Sequence, residues 1–444
     1  MANGGNWRAK CITTADALAM VKSGDSIVSA LGAAEAVGFL GELHTIAPRV
    51  QDVTVATCLP MQPYPWFMDA AMRGRFVHDA WFFTPAVRKA HEEAGTSSYV
   101  PNHLHRAGLD RLAYRRPTLF VGTCTPPDRF GYLSLSLSVT YERELLEAAD
   151  RVILEVNENL PYTFGDPVIH VDDVDHFILN TCAIPELAPA PAGENDHRIG
   201  GFIAEMIEDG STLQLGIGGI PNAVTSMLLD KHDLGIHTEM FTDGMIDLYE
   251  GGCIGKAAHS FGHHVLTGKM VGAFALGTRR LYDFLDRNPA VALMRGSWVN
   301  DPYIIARNRK QVSINTTLEV DLTGQVCSES IGSRQFSGTG GQADTAIGAQ
   351  MSEGGKSFIA LYSTASVKQP DGGRKTVSKI APALTPGAAV TLHRSNVDYV
   401  VTEYGAVRLK GVPVRERVRR LISIAHPDFR AWLAEEADRL KLSA

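Results

Sequence analysis

Glu239 stands in Gly235-Ile236-His237-Thr238-Glu239-Met240, a short apolar segment with no Lys or Arg beside the carboxylate. Just upstream, Leu213-Gln214-Leu215 reads as a strand that breaks into Gly216-Ile217-Gly218-Gly219. Pro221 with Ala223, Val224, Met227, Leu228 and Leu229 then reads as a helix starting after a glycine turn. Such a turn lets backbone N–H groups approach a ligand, and the positive end of the following helix favours developing negative charge. A lone acid near it is a candidate nucleophile or base. The alternative for any single Glu is a salt-bridged surface position. A second glycine loop, Ser337-Gly338-Thr339-Gly340-Gly341-Gln342, lies further along. Either loop could instead be a tight structural turn, and Gly216–Gly219 lacks the spacing of a dinucleotide fingerprint, so no nicotinamide site is expected.

The elements that must position these residues follow one grammar twice. A helix over residues 12–22 turns at Gly24-Asp25-Ser26 into the strand Ile27–Leu31, and a helix marked by Phe202, Ile203, Met206 and Ile207 turns at Gly210-Ser211 into Thr212–Leu215. Lys22–Ile27 aligns with Glu208–Leu213 at a constant offset of 186, close to half the chain. Pro185-Glu186-Leu187-Ala188-Pro189-Ala190-Pro191-Ala192-Gly193 makes a linker. Two similar α/β halves are therefore expected, residues 1–190 and 195–444, the second carrying Glu239. Val53–Thr57 and Leu119–Thr123 read as buried parallel strands, and Val152–Val156 as another strand. In the second half Val271–Gly277, Val312–Ile314, Leu318–Leu322 and Tyr399–Val401 read as strands, and Leu281–Leu285 and 415–440 as helices.

A chain of 444 residues exceeds one ordinary domain, and 45% hydrophobic with 20% charged residues suits a large globular core. Net charge is −7 and no basic run follows a phosphate backbone, which disfavours nucleic-acid binding. No apolar stretch approaches the length of a membrane span, and the start MANGGNWRAK has no signal-like apolar region; a cytosolic protein is expected. Six cysteines are scattered without a CxxC pair, as for reduced thiols.

Leu213–Val224, Gly235–Gly244, Val299–Pro302, Leu318–Val326, Ser337–Asp344, Val401–Gly405 and Ala425–Phe429 together resemble, in order, the acetyl-CoA hydrolase/transferase group of class I CoA-transferases, near the 4-hydroxybutyrate and butyryl-CoA:acetate enzymes. The resemblance implies an α/β fold of two similar open-sheet domains with the active site between them. It implies Glu239 as the nucleophile on an acyl-CoA thioester, Asn300 as a side chain beside it, and Ile217, Gly218 and Gly341 as further catalytic positions. Gly216, Gly218, Gly219, Asn222, Gly338, Gly340 and Gly341 would contact CoA. CoA and acyl-CoA are then substrates, no metal or redox cofactor is needed, and a homodimer is expected. The acid partner would be a short-chain, hydroxy- or dicarboxylic acid. An acyl-CoA hydrolase and a non-catalytic metabolite sensor are the alternatives.

Other residues carry weaker signals. His170-Val171-Asp172-Asp173-Val174-Asp175-His176 looks metal-like but is broken by valines, as a strand or turn would be. His259, His263 and His264 read as surface or glycine-turn histidines. Glu403 is either structural or at the substrate entrance, and His103 and His105 could contact an acyl carboxylate. Tyr162 stands where many relatives carry a basic residue, making that neighbourhood less positive.

Overall fold

The computed structural model describes residues 7–255, 264–369 and 371–443. Its first half forms a sheet of β1 (Ser26–Ser29), β2 (Val53–Thr57), β3 (Phe76–Ala80), β4 (Ser97–Tyr99), β5 (Leu119–Cys124), β6 (Val152–Val156) and β7 (His176–Leu179). Their order is β4-β3-β2-β1-β5-β6-β7, and all are parallel. β1, β2, β5 and β6 are buried along their whole length. Covering on both faces explains why their sequences do not alternate cleanly.

The second half repeats the plan with β8 (Thr212–Leu215), β9 (Gly235–Ile236), β10 (Gln311–Thr316), β11 (Lys356–Ala360), β12 (Tyr399–Thr402) and β13 (Gly405–Arg408). The order is β9-β8-β10-β11-β12-β13, parallel up to β12 and ended by the antiparallel β12–β13 hairpin. The offset of 186 carries β1 onto β8. Each of these strands is flanked by the next strand in the chain and by a later one. The aligned Gly24 and Gly210 both sit at positive φ, +78° and +74°, so the turn before the strand is built the same way twice.

Neighbouring residues of β1 point to opposite faces: Ile27 joins a core with Val53, Trp66 and Phe67, and Val28 joins the largest core. That largest core runs through both halves, from Phe120 and Leu154 to Leu213, Phe274 and Ile314. Each such side chain contributes about 1.5–3 kcal/mol on burial. A third core, with Val320, Ile359, Val400, Leu421 and Leu433, lies under the C-terminal helices.

Three elements differ from the expected ones. The helix over 12–22 shortens to Thr14–Ala19, because Thr13 and Asp16 form a capping box that fixes its start. The helical span 415–440 is two helices, Val414–Ser423 and Pro427–Arg439. Pro427 has no N–H to continue the first and holds His426 extended, at φ −56° and ψ 135°. The strand expected over Val271–Gly277 divides into Met270–Gly272 and Phe274–Ala275, which pair with Val291–Leu293 and Met240–Phe241 respectively. The change of partner falls at Ala273, whose N–H goes to the Glu239 carbonyl at 3.0 Å.

Candidate active site

The carboxyl ends of strands from both sheets face one cavity of about 240 Å³. β1 leads to Leu31, β2 to Cys58 and Leu59, β3 to Phe82, and β8 to Gly216 and Ile217, while Asn315 and Thr316 end β10. Open α/β sheets place ligands at this edge. Glu239 stands in the same cavity. Its backbone is clamped, since Ala273 and Phe274 both donate to its carbonyl, at 3.0 and 3.1 Å.

The Glu239 side chain, mostly buried but open to the cavity, accepts a hydrogen bond from Asn300 Nδ2 at 2.7 Å and another from the Gly341 N–H. Burial pushes its carboxyl up to about 7; the Asn300 bond opposes this, the nearby Asp344 charge adds to it, and the Gly341 N–H opposes it. Asn300 is fully buried and its N–H caps the short helix Gly296–Val299 through the Gly296 carbonyl. A carboxylate only accepts, so the Asn300 amide must turn Nδ2 toward Glu239, which leaves its Oδ1 without a hydrogen-bond partner among the described residues. Asn300→Ala is expected to lower kcat about 10²-fold by removing that donor. It should also move the acid limb of the pH profile upward, because the lost bond is one that favours the carboxylate; an unchanged profile would assign Asn300 to packing alone.

The two glycine loops do different things. The first leads into α1 (Gly219–Ser226), whereas Gly341 of the second is the N-cap of α2 (Gln342–Met351), so the positive end of a ten-residue helix faces Glu239. A Cβ at Gly341 would overlap both the Glu239 carboxylate and the Asn300 amide. Gly216, Ile217, Gly338, Gly340 and Gly341 line the cavity around Glu239. Gly218, at φ +116°, and Asn222 line a second cavity of about 370 Å³ with Leu187–Ala190 and Thr242–Gly244. Ile217, 48% exposed, borders both cavities. Gly219 borders neither and packs against the Asp196 carboxylate. Asn222 Nδ2 is already bonded to the Ala190 carbonyl at 3.0 Å.

His103 and His105 do not line the cavity at Glu239. Both turn to Asp344 on α2: His105 bonds it through its backbone N–H at 3.1 Å and Nδ1 at 2.9 Å, and His103 Nδ1 lies 3.4 Å away. Between them Leu104 donates to the Gly340 carbonyl at 3.2 Å, and Tyr99 bonds Thr339. The first half thus clasps the loop that carries Gly341. Sequence reading missed this clasp, and also the apolar wall of Leu31, Cys58, Leu59, Phe82 and Leu104; the signal for the wall was their common place just after a strand or loop at the sheet edge.

His264 is not a surface residue: it is 4% exposed, with its ring between the carbonyls of Ile236 and Leu266. His259 and His263 lie outside the described residues. Glu403 is buried and accepts from the Ser363 N–H and hydroxyl at 2.9 and 2.6 Å, away from the lining of the Glu239 cavity. Around Tyr162 positive charge comes from elsewhere in the chain, since the Arg287 guanidinium sits 5.1 Å from its ring centre. His170 and Asp173 cap a turn, and among the described residues no group of three or more His, Cys, Asp or Glu could hold a metal ion. No helix of the described residues is long and apolar enough to cross a membrane.

Two open sheets whose carboxyl edges enclose a carboxylate, an amide and a glycine-capped helix define the CoA-transferase architecture. Among solved structures the chain is similar to RipA from Yersinia pestis (TM-score 0.89, 34% identity, 98% of each chain covered) and to a 4-hydroxybutyrate CoA-transferase from Porphyromonas gingivalis (TM-score 0.77, 33% identity, 98% of each). The chain belongs to the acetyl-CoA hydrolase/transferase family: residues 2–185 match its N-terminal domain and 277–437 its C-terminal domain. A succinyl-CoA:cyclohexane-1-carboxylate CoA transferase of Geobacter metallireducens is 42% identical over 98% of this chain and 96% of its own length. The enzyme class expected from the sequence, a CoA-transferase, holds.

Proposed function

We propose that the protein transfers CoA between a short acyl-CoA and a carboxylic acid by a ping-pong reaction on Glu239. The observation that carries this reading is the Glu239 carboxylate, open to the cavity and held by Asn300 at 2.7 Å and by the Gly341 N–H at the start of α2. The carboxylate attacks the thioester carbonyl, forming an acyl-glutamyl anhydride and releasing CoA thiolate. The thiolate attacks the glutamyl carbonyl, forming a glutamyl-CoA thioester and freeing the first acid as its carboxylate. A second carboxylate runs both steps in reverse and leaves as the new acyl-CoA, so thioester energy is conserved throughout. Each tetrahedral intermediate puts charge on a former carbonyl oxygen, and each fixed donor there contributes about 3–4 kcal/mol. Gly216, Ile217 and Gly218 with Gly340 and Gly341 are the backbone candidates. Ile217 borders both cavities, so the pantetheine arm of CoA passes over it while the acyl group stays beside Glu239.

The test is release of thiol from acetyl-CoA, with and without a panel of acids, while new acyl-CoA is followed by mass. New acyl-CoA with little free thiol supports transfer. Thiol accumulating without any acid means that water intercepts the anhydride and the protein is a hydrolase.

The raised carboxyl fixes the pH dependence. Only ionised Glu239 attacks, so kcat/KM for acyl-CoA should rise with pH to a midpoint near 7 and fall about tenfold per unit below it. A midpoint at the ordinary value of 4.5 would show that the free enzyme does not hold Glu239 in this environment.

A further inference from the structure

The cavity at Glu239 has two unlike walls. On the wall from the second half, several polar groups are engaged with their own surroundings, while Gln342 Oε1 has no hydrogen-bond partner among the described residues. Gln214 Oε1 accepts from Ser313 at 3.0 Å, and Asn315 Nδ2 donates to Ser313 and Thr345 at 2.9 and 3.1 Å. The Ser328 hydroxyl is bonded to Thr317 Oγ1 and that of Ser337 to the Ser328 carbonyl, each at 2.9 Å. The wall from the first half is Leu31, Cys58, Leu59, Phe82 and Leu104, joined by Phe274 beside Glu239. Burial, and then the Glu239 and Glu142 charges, keep the Cys58 thiol protonated, so it too presents an uncharged surface. Among the described residues that line this cavity there is no Lys, Arg or His.

Leu59 adds an independent sign that the wall is built for contact. Its φ is +54°, a left-handed conformation that a leucine rarely adopts. A residue held this way must be fixed by its surroundings, and such strain clusters at ligand sites.

We infer that the acid exchanged at Glu239 is a monocarboxylate with a compact apolar body, branched or cyclic, and that dicarboxylates are poor acceptors. The inference rests on the proposed Glu239 chemistry, which fixes the reacting carboxyl and leaves the rest of the acid to fill the cavity. At about 240 Å³ the space exceeds the roughly 150 Å³ that suffices to enclose benzene. A second carboxylate would leave water for an apolar wall, with no cation to meet it and an anionic glutamate nearby.

The experiment uses the intact enzyme with acetyl-CoA. Cyclohexanecarboxylate, benzoate and 3-methylbutanoate are compared with succinate and glutarate as acceptors, and exchange of isotopically labelled acetate into acetyl-CoA runs as the control for transfer itself. The apolar acids are expected to exceed the dicarboxylates by at least about tenfold in kcat/KM. In Phe82→Arg, which brings a cation to the apolar wall, that ratio should narrow by about tenfold or more. Dicarboxylates used as well as the apolar acids, with acetate exchange intact, would overturn the substrate class while leaving the transferase reading in place. No exchange of acetate or of any other acid would overturn the transferase reading and this inference with it. If Phe82→Arg loses acetate exchange, the ratio measured on the unsubstituted enzyme decides alone.

Discussion

Replacing Glu239 with Ala is expected to lower kcat/KM for CoA transfer by at least about 10⁴-fold. The covalent route has no other carboxylate to use: among the described residues lining the cavity Glu239 is the one acid, and Asp344, whose charge acts on it, is bound to His105. Glu239→Gln keeps the shape of the side chain and should lose as much activity, which separates chemistry from packing. The fold should survive both changes. Holding an ionised carboxylate where its pKa is raised to about 7 costs about 3 kcal/mol near neutral pH. That cost is absent below the unfolded carboxyl value, grows as pH rises from there to the folded value and is constant above it, so Ala removes it where the enzyme works. Against this, Asn300 Nδ2 and the Gly341 N–H lose their acceptor, at about 1–3 kcal/mol for a buried donor left unmade. A melting temperature within a few degrees of the parent is the expected result. Intact mass after incubation with acyl-CoA should show a CoA adduct on the parent and none on either variant. Transfer by either variant within about tenfold of the parent would remove Glu239 as nucleophile.

Much of the site was legible because its residues lie in short local patterns. The strand-to-glycine break at Leu215-Gly216 and the lone acid at Glu239 could be read directly, and the repeat at an offset of 186 gave the two sheets. Family resemblance supplied Asn300, which no local pattern marks, since nothing in Trp298-Val299-Asn300 says that it meets an acid 61 positions away. What stayed hidden depends on contacts between the halves. His105 and Asp344 are 239 residues apart, and a histidine near a glycine-rich site reads equally well as a substrate contact or a structural tie. The surface reading of His264 failed for a similar reason: Nε2 facing the Ile236 carbonyl and Nδ1 facing the Leu266 backbone make burial of a polar ring acceptable, and burial cannot be read from a neighbouring glycine. The division of Val271–Gly277 has the same origin, because the change of partner falls at Ala273, which donates to the Glu239 carbonyl.

Gly341 and its neighbour Gly340 should respond to alanine in opposite ways. Gly341 has φ −99° and ψ 13°, a backbone open to any L-residue, so Ala there is not strained in itself. Its Cβ, however, would occupy the position of the Glu239 carboxylate and the Asn300 amide. The carboxylate must swing away, losing both donors and its aim at the thioester, and kcat is expected to fall about 10²–10³-fold while the melting temperature changes little. Gly340 has φ +54° and nothing within 4 Å of an added Cβ. Gly340→Ala therefore costs about 1–2 kcal/mol of backbone strain but puts no atom against Glu239, so its melting temperature should fall and its kcat should stay within about tenfold of the parent. Measuring both quantities for both variants tests whether the second glycine loop acts through space beside the nucleophile or through its own turn. Full activity in Gly341→Ala would mean that the carboxylate works from a position other than the one between Asn300 and Gly341. A kcat loss in Gly340→Ala matching that of Gly341→Ala would mean that the loop conformation governs the chemistry, and not the room that Gly341 leaves for the acid.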